Sequence, residues 1–226
     1  MRIGALVAIP LLLAGCSHDA GSQSEHSQTT GATPPSSTTS ASAGKLPSPP
    51  TAPAAGAPMS EVIAWVEAAH PADPAKFHTA ARDGVTNQLG DDSAFSASAG
   101  AVACTTDTKH TGDAVACLVK LTNPPPRPDT AYGEWKGGWV NFDGTNLQVG
   151  AARADPGPFV NGDGPELANG SSLFFGDYRC RADQSEVICV NYAHQSAARL
   201  SAAGVEPYGC LRSVPPPDGV GVAFAC

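Results

Sequence analysis

The chain has 226 residues, 42% of them hydrophobic, and its 13 Lys and Arg against 21 Asp and Glu set a formal net charge of -8. A net acidic chain with no basic block does not suit nucleic-acid binding, which relies on clustered Lys and Arg to neutralise phosphates. Its 24 Gly and 21 Pro follow no collagen period, and no apolar run reaches the roughly 18–20 residues of a membrane-spanning helix.

Met1-Arg2 supplies one positive charge, and residues 3–15 then form 13 positions without a polar side chain. That length suits the apolar region of a secretory signal. The run ends in Leu13-Ala14-Gly15-Cys16, which matches the lipobox of bacterial lipoproteins: an aliphatic residue, two small residues and a cysteine. Residues 1–15 are therefore expected to be a lipoprotein signal peptide, with the Cys16 thiol carrying the lipid. Each buried acyl methylene strengthens membrane attachment by about 0.8 kcal/mol, and two or more chains make it stable. The expected location is the extracytoplasmic face of the cell membrane.

Residues 17–58 are rich in Ser, Thr, Ala, Gly and Pro and contain no aromatic residue. Such a stretch cannot bury enough apolar surface to offset its ordering entropy, so residues 16–58 read as a lipidated cysteine followed by a disordered linker. As a flexible coil it would reach on the order of 35–40 Å. His18 and His26 stand alone in it and read as solvated side chains rather than metal ligands. The first 58 residues carry two charges of each sign, so the whole imbalance belongs to residues 59–226, with 11 positive and 19 negative charges.

Residues 59–226 have the length of a single domain. Ser60 is placed to cap a short helix with Val62, Ile63, Val66 and Ala69 on its inner face and Pro71 as its stop. Asp73-Pro74 reads as a second cap, with Phe77, Ala80 and Ala81 continuing the turn and Gly84 ending it. Beyond Gly84 short strands are expected. Residues 102–104 and 115–119 form one hairpin. Residues 139–142 and 147–151 form another around Asp143-Gly144. Further strands are expected at residues 173–175, 178–181 and 187–192, a long surface loop at 156–165 and a helical turn at 197–203. The expected fold class is mainly β, a disulfide-stapled sandwich or partial barrel with one or two short N-terminal helices.

With Cys16 assigned to lipid, six cysteines remain: Cys104, Cys117, Cys180, Cys189, Cys210 and Cys226. An internal similarity narrows the pairings. Cys104-Thr-Thr-Asp107 leads to Val115-Ala-Cys117, and Cys180-Arg-Ala-Asp183 leads to Val187-Ile-Cys189. Both read as C-x-x-D, a turn, then V-x-C, which fits two hairpins each bridged across its own turn. Cys210 and Cys226 then pair by elimination, and an oxidising exported compartment agrees. There is no C-x-x-C and no zinc-like Cys/His spacing, so metal and redox readings of these cysteines are disfavoured.

Phe95-Ser-Ala-Ser-Ala-Gly-Ala-Val-Ala-Cys104 resembles the "F-x-S-P-S-G-N-I-x-C" opening of many actinobacterial exported proteins. Gly176-Asp-Tyr-Arg-Cys180 through Val187-Ile-Cys189-Val-Asn191 resembles their "G-x-F-x-C…G-V-T-C-x-N" hairpin. Phe77-His-Thr-Ala-Ala-Arg-Asp-Gly84 and Tyr132-Gly-Glu-Trp-Lys-Gly-Gly-Trp139 are closer to the mycobacterial-type lipoprotein branch. The resemblance covers roughly residues 60–226 and implies an envelope lipoprotein. It supplies no catalytic residues. Where the wider group continues with "T-G-H-G-F", this chain has His194-Gln-Ser-Ala-Ala198.

No G-x-S-x-G, H-E-x-x-H, P-loop or G-x-G-x-x-G occurs, so no catalytic or cofactor motif is present. His194 with Ser196 and Asn191 is the most suggestive polar cluster, and a turn held by polar side chains is its competing reading. Asn161, Asp163 and Glu166, with Asp155 upstream, place oxygen ligands in a glycine-rich loop but lack the full calcium pattern. Asn169-Gly-Ser171 reads as a turn. Tyr132, Trp135 and Trp139 are the candidate binding residues. In a regular strand the two tryptophans would share a face, either as core or as a platform for sugar or apolar ligands. Three functions compete. The first is a non-catalytic envelope module that binds a protein, glycan or lipid. The second is an exported hydrolase around His194. The third is a structural surface antigen without a small ligand.

Overall fold

The computed structural model describes residues 51–153 and 156–226, so Cys16, His18, His26 and Asp155 lie outside the described residues. Helix α1 (Met59–Glu67) comes first, with Val62, Trp65 and Val66 buried at helical spacing. Ser60 is not its cap. The N-cap is Pro58, which makes no side-chain cap, and its carbonyl accepts from the Glu61 and Val62 amides. The helix stops short of Pro71 because the residue before a proline disfavours helical geometry. His70–Pro71 instead forms a two-residue strand, β1.

A 3₁₀ turn, Pro74–Phe77, follows, with Asp73 Oδ1 accepting from the Ala75 amide at 3.1 Å. The helix expected to run on to Gly84 is replaced by a hairpin of β2 (Thr79–Arg82) and β3 (Val85–Gln88). Asp83 and Gly84 sit between them at φ 52° and 80°. Two consecutive left-handed residues match the twist of the flanking strands and override the helix preference of Ala80 and Ala81.

Strands β4 (Ala94–Ala97) and β5 (Val102–Thr106), the short helix α2 (Thr108–Thr111), then β6 (Val115–Val119), β7 (Trp135–Phe142) and β8 (Asn146–Ala152) form an antiparallel meander. The turn at Asp143-Gly144 is shifted by one residue: the Asp143 amide bonds the Asn146 carbonyl, so Gly144 and Thr145 form the tip. A second meander follows, made of β9 (Ser171–Phe175), β10 (Tyr178–Ala182), β11 (Glu186–Asn191), β12 (Ser196–Ser201) and β13 (Gly204–Tyr208). Strands β14 (Arg212–Val214) and β15 (Val220–Ala225) end the chain.

One sheet has the order β14-β15-β8-β7-β6-β5-β4 and the other β1-β9-β10-β11-β12-β13, with β1 parallel to β9. The two sheets pack as a sandwich rather than a partial barrel. Phe95, Val102, Val115, Val140, Phe142, Leu147 and Val149 from the first share one core with Leu173, Val187, Ala198 and Leu200 from the second. These alternate with outward residues as a two-sheet core requires. Each fully buried Val, Leu or Phe contributes roughly 1.5–3 kcal/mol of transfer free energy.

All three bridges form as the internal similarity predicts: Cys104–Cys117, Cys180–Cys189 and Cys210–Cys226. The similarity extends beyond the cysteines. One rung of the first meander reads Phe95, Cys104, Cys117, Val140, and one rung of the second reads Leu173, Cys180, Cys189, Ala198. Both bridges point into the shared core.

Three further expectations change. The helical turn expected at residues 197–203 is β12, because Ala197 and Ala198 are each buried on a different face of the sheet, where small side chains fit. The loop expected at 156–165 contains a 3₁₀ turn, Gly157–Asn161, that buries Phe159. Gly164 lies so close to Ala94 that a Cβ there would come within 2.1 Å of its backbone carbon. Finally, Ala52, Pro53 and Ala57, assigned by composition to the linker, pack on the domain. The Pro53 carbonyl accepts from Arg199 and, at 3.3 Å, from the Tyr208 hydroxyl. Alanine and proline lose little side-chain entropy on packing, so a segment of disordered composition can still dock.

Candidate binding groove on the outer sheet face

The outer faces of the two sheets differ. On the six-stranded sheet, Val62, Trp65 and Val66 of α1 cover Ile188, Val190, Ala197 and Tyr208. Arg181 stacks on Trp65, with Cζ 3.8 Å from the ring centroid, and donates to its carbonyl at 2.5 Å. Among the described residues no helix of comparable length covers the seven-stranded sheet. Phe159 packs with Trp139, Ala103, Ala116 and Ala151, and Leu118 joins them. Elsewhere on that face Thr105 and Ala223 are also buried, whereas Asn141 and Gln148 are half-exposed.

The three candidate aromatics separate there. Trp139 is core, 2% exposed, with Phe159 edge-on at 5.3 Å and the Arg153 guanidinium 4.6 Å from its centroid. Trp135 is partly buried, donates its indole N–H to the Pro125 carbonyl at 3.2 Å and lies against Gly150. The register shifts between Lys136 and Val140, so strand alternation cannot be counted from Trp135 to Trp139. Gly138 permits that irregularity, because a Cβ there would come within 2.0 Å of the Val119 carbonyl oxygen. Tyr132 alone presents a ring, 87% exposed. The shared aromatic platform is therefore replaced by one exposed tyrosine beside a buried tryptophan.

Tyr132 stands at a depression of about 550 Å³ that also exposes Asn141, Gln148 and Arg153. This is within the range of about 300–1,000 Å³ common for ligand sites. It adjoins a second depression of about 330 Å³ through Asn141 and Gln148, and a third of about 480 Å³ through Arg153. Thr111 lines the second and third. Together they make up a groove: the first two lie on the outer face of β7 and β8, and the third lies beside them between α2 and the Gly157–Asn161 turn.

The pairing explains the shape. Along one rung Ala116 pairs with Asn141, Asn141 with Gln148, and Gln148 with Ala223. Two half-buried cross-strand amides thus stand between two buried alanines, so the polar atoms presented by this rung belong to Asn141 and Gln148. Trp139 Nε1 donates to Asn141 Oδ1 at 3.0 Å. Indole nitrogen only donates, so the amide oxygen faces it and Asn141 Nδ2 keeps two donors for the groove. Arg153 Nε is buried without a hydrogen-bond partner among the described residues. Asn141, Gln148 and Arg153 escaped sequence reasoning, since single polar residues in strands carry no motif.

The His194 cluster serves the fold. Ser196 is fully buried and donates to the Gly144 carbonyl at 2.5 Å. The His194 amide donates to Asn191 Oδ1 at 3.0 Å, and its ring is exposed at the hairpin tip. These residues brace the β7–β8 turn from the opposite sheet. At that turn Asp143 accepts four hydrogen bonds from Thr145 and Asn146. Partial burial opposes ionisation, but these bonds outweigh it and hold the Asp143 carboxyl below its usual value.

Asp163 is tied by its backbone to Ala81 in both directions, and Glu166 bridges Ser96. Among the described residues no group of three His, Cys, Asp or Glu could hold a metal ion, and no helix is long and apolar enough to cross a membrane. Asn169-Gly170 forms a turn, with the Ser171 amide bonding the Ala168 carbonyl. In comparisons with known proteins, no family model matches the chain, and neither the curated proteins nor the solved structures contain a significant match.

Proposed function

We propose that the protein is a cell-envelope lipoprotein, anchored through Cys16, whose β-sandwich is a non-catalytic binding module with its ligand groove on the outer face of β7 and β8. The observation that carries the binding reading is the paired amides Asn141 and Gln148, which line one depression with Arg153 and Tyr132. The anchoring reading rests on Leu13-Ala14-Gly15-Cys16 behind an apolar run, and on the resemblance to actinobacterial envelope lipoproteins. A binding role is favoured over hydrolysis because the Ser196 hydroxyl is buried and committed to the Gly144 carbonyl.

Two experiments test this. Labelled fatty acid should enter the wild-type protein and not Cys16→Ala, which should leave the membrane fraction. Label retained in Cys16→Ala would contradict the anchor. Material that co-purifies with the wild type should be lost from an Asn141→Ala, Gln148→Ala double variant of unchanged melting temperature. Retention of the same material would contradict the groove.

A further inference from the structure

We infer that the groove takes a neutral oligosaccharide chain, laid along β7 and β8 with one sugar ring against Tyr132. This deepens the binding reading above and rests on it.

The donor and acceptor set suits hydroxyl groups. A sugar hydroxyl both donates and accepts, and neighbouring hydroxyls on a ring present two such groups side by side. Planar side chains that offer two polar atoms match that pattern. Gln148 supplies a carbonyl oxygen and an NH₂, Asn141 supplies an NH₂ oriented by Trp139, and Arg153 supplies a guanidinium placed over the Trp139 ring. The Thr130 hydroxyl accepts from the Gly219 amide and keeps its own proton to donate.

Charge decides against other occupants. Among the described residues Arg153 is the one cation lining the 550 Å³ depression and Asp218 the one carboxylate there, so their charges balance. The adjoining depressions add Asp107, His110 and Asp143. Asp107 is engaged by His110 at 2.8 Å, and Asp143 is engaged by its own turn. A polyanion would meet these carboxylates with one arginine to offset them. A lipid chain would need a continuous apolar lining, yet among the described residues the strongly exposed large apolar side chains there are Tyr132 at the main depression and Val160 at the third, with amide and charged side chains between them. Tyrosine suits a sugar: its ring covers the C–H face of a pyranose and its hydroxyl remains wet.

Shape adds an independent argument. Three mutually adjoining depressions offer more than one seat, which fits a chain of several sugar units better than a single compact metabolite.

The test is calorimetric titration of the full-length protein in mild detergent. The probes are linear glucan, mannan, galactan and arabinan oligosaccharides, with a heparin oligosaccharide and phosphatidylglycerol vesicles as comparators. At least one neutral oligosaccharide should bind. Gln148→Ala and Tyr132→Ala should each weaken it ten-fold or more without changing the melting temperature. Preferred binding of heparin or vesicles, with the same dependence on Gln148, would overturn the neutral-glycan inference and leave the groove as a binding site. Binding of every probe unaffected by both substitutions, or no binding at all, would overturn the inference. Only material that still co-purifies with the Asn141→Ala, Gln148→Ala variant would also remove the groove reading.

Discussion

Asn141 Oδ1 lies 3.0 Å from the indole nitrogen of Trp139, two residues earlier on the same strand. A buried aromatic thus sets which end of a half-buried amide faces the groove. Trp139→Phe should keep the packing with Phe159 while freeing the amide to turn, so ligand binding should fall more than stability does. Trp139→Ala removes a well-packed ring and should cost about 3–5 kcal/mol. Urea unfolding beside a ligand titration distinguishes the two effects.

The bridges should differ in how readily they reduce. Cys104, Cys117, Cys180 and Cys189 are buried in the core, whereas Cys210 and Cys226 are exposed. Mild reductant followed by alkylation and mass spectrometry should therefore modify Cys210 and Cys226 first. Replacing Cys180 and Cys189 together by Ala should cost roughly 2–4 kcal/mol of stability.

Burial pushes the Tyr178 phenol well above its usual pKa, and its hydroxyl donates to the Phe142 carbonyl at 2.9 Å. A raised tyrosine pKa contributes stability that is present in full below the unfolded value of about 10 and is lost as pH rises through the folded value. The melting temperature should therefore fall above about pH 10, and Tyr178 should ionise only with unfolding. Tyr178→Phe should flatten that alkaline decline while costing about 0.5–1.5 kcal/mol for the lost hydrogen bond.

Asp143 has the opposite sign. Its lowered pKa contributes stability that is present above the unfolded value of about 3.9 and is lost as pH falls through the lower folded value. Asp143→Ala should lower the melting temperature at neutral pH, and the difference from wild type should shrink below about pH 3.9. A pH series of thermal melts checks this.

The parts legible in the sequence were those with a local chemical signature. The C-x-x-D…V-x-C similarity led to the bridges because the same rung geometry recurs in both meanders. Short apolar runs between turn residues located most strands of the sandwich. Alanine-rich stretches misled: Ala80-Ala81 and Ala197-Ala198 carry helix preference, but a left-handed turn at Asp83-Gly84 and burial on both faces of β12 decide their conformation. The binding face was only partly legible. Tyr132 was visible as an aromatic, but the register shift after Lys136 sends Trp135 and Trp139 to different roles. Asn141 and Gln148 gain meaning only from their pairing across β7 and β8.

The most direct test of the groove places a photoreactive side chain at position 148 and, as control, at the exposed Ala203 on the β12–β13 turn. Illumination of intact cells should yield a discrete envelope adduct from position 148 and none from position 203, and Tyr132→Ala should abolish it. Equal adducts from both positions, or an adduct from position 203 alone, would contradict a ligand groove on β7 and β8.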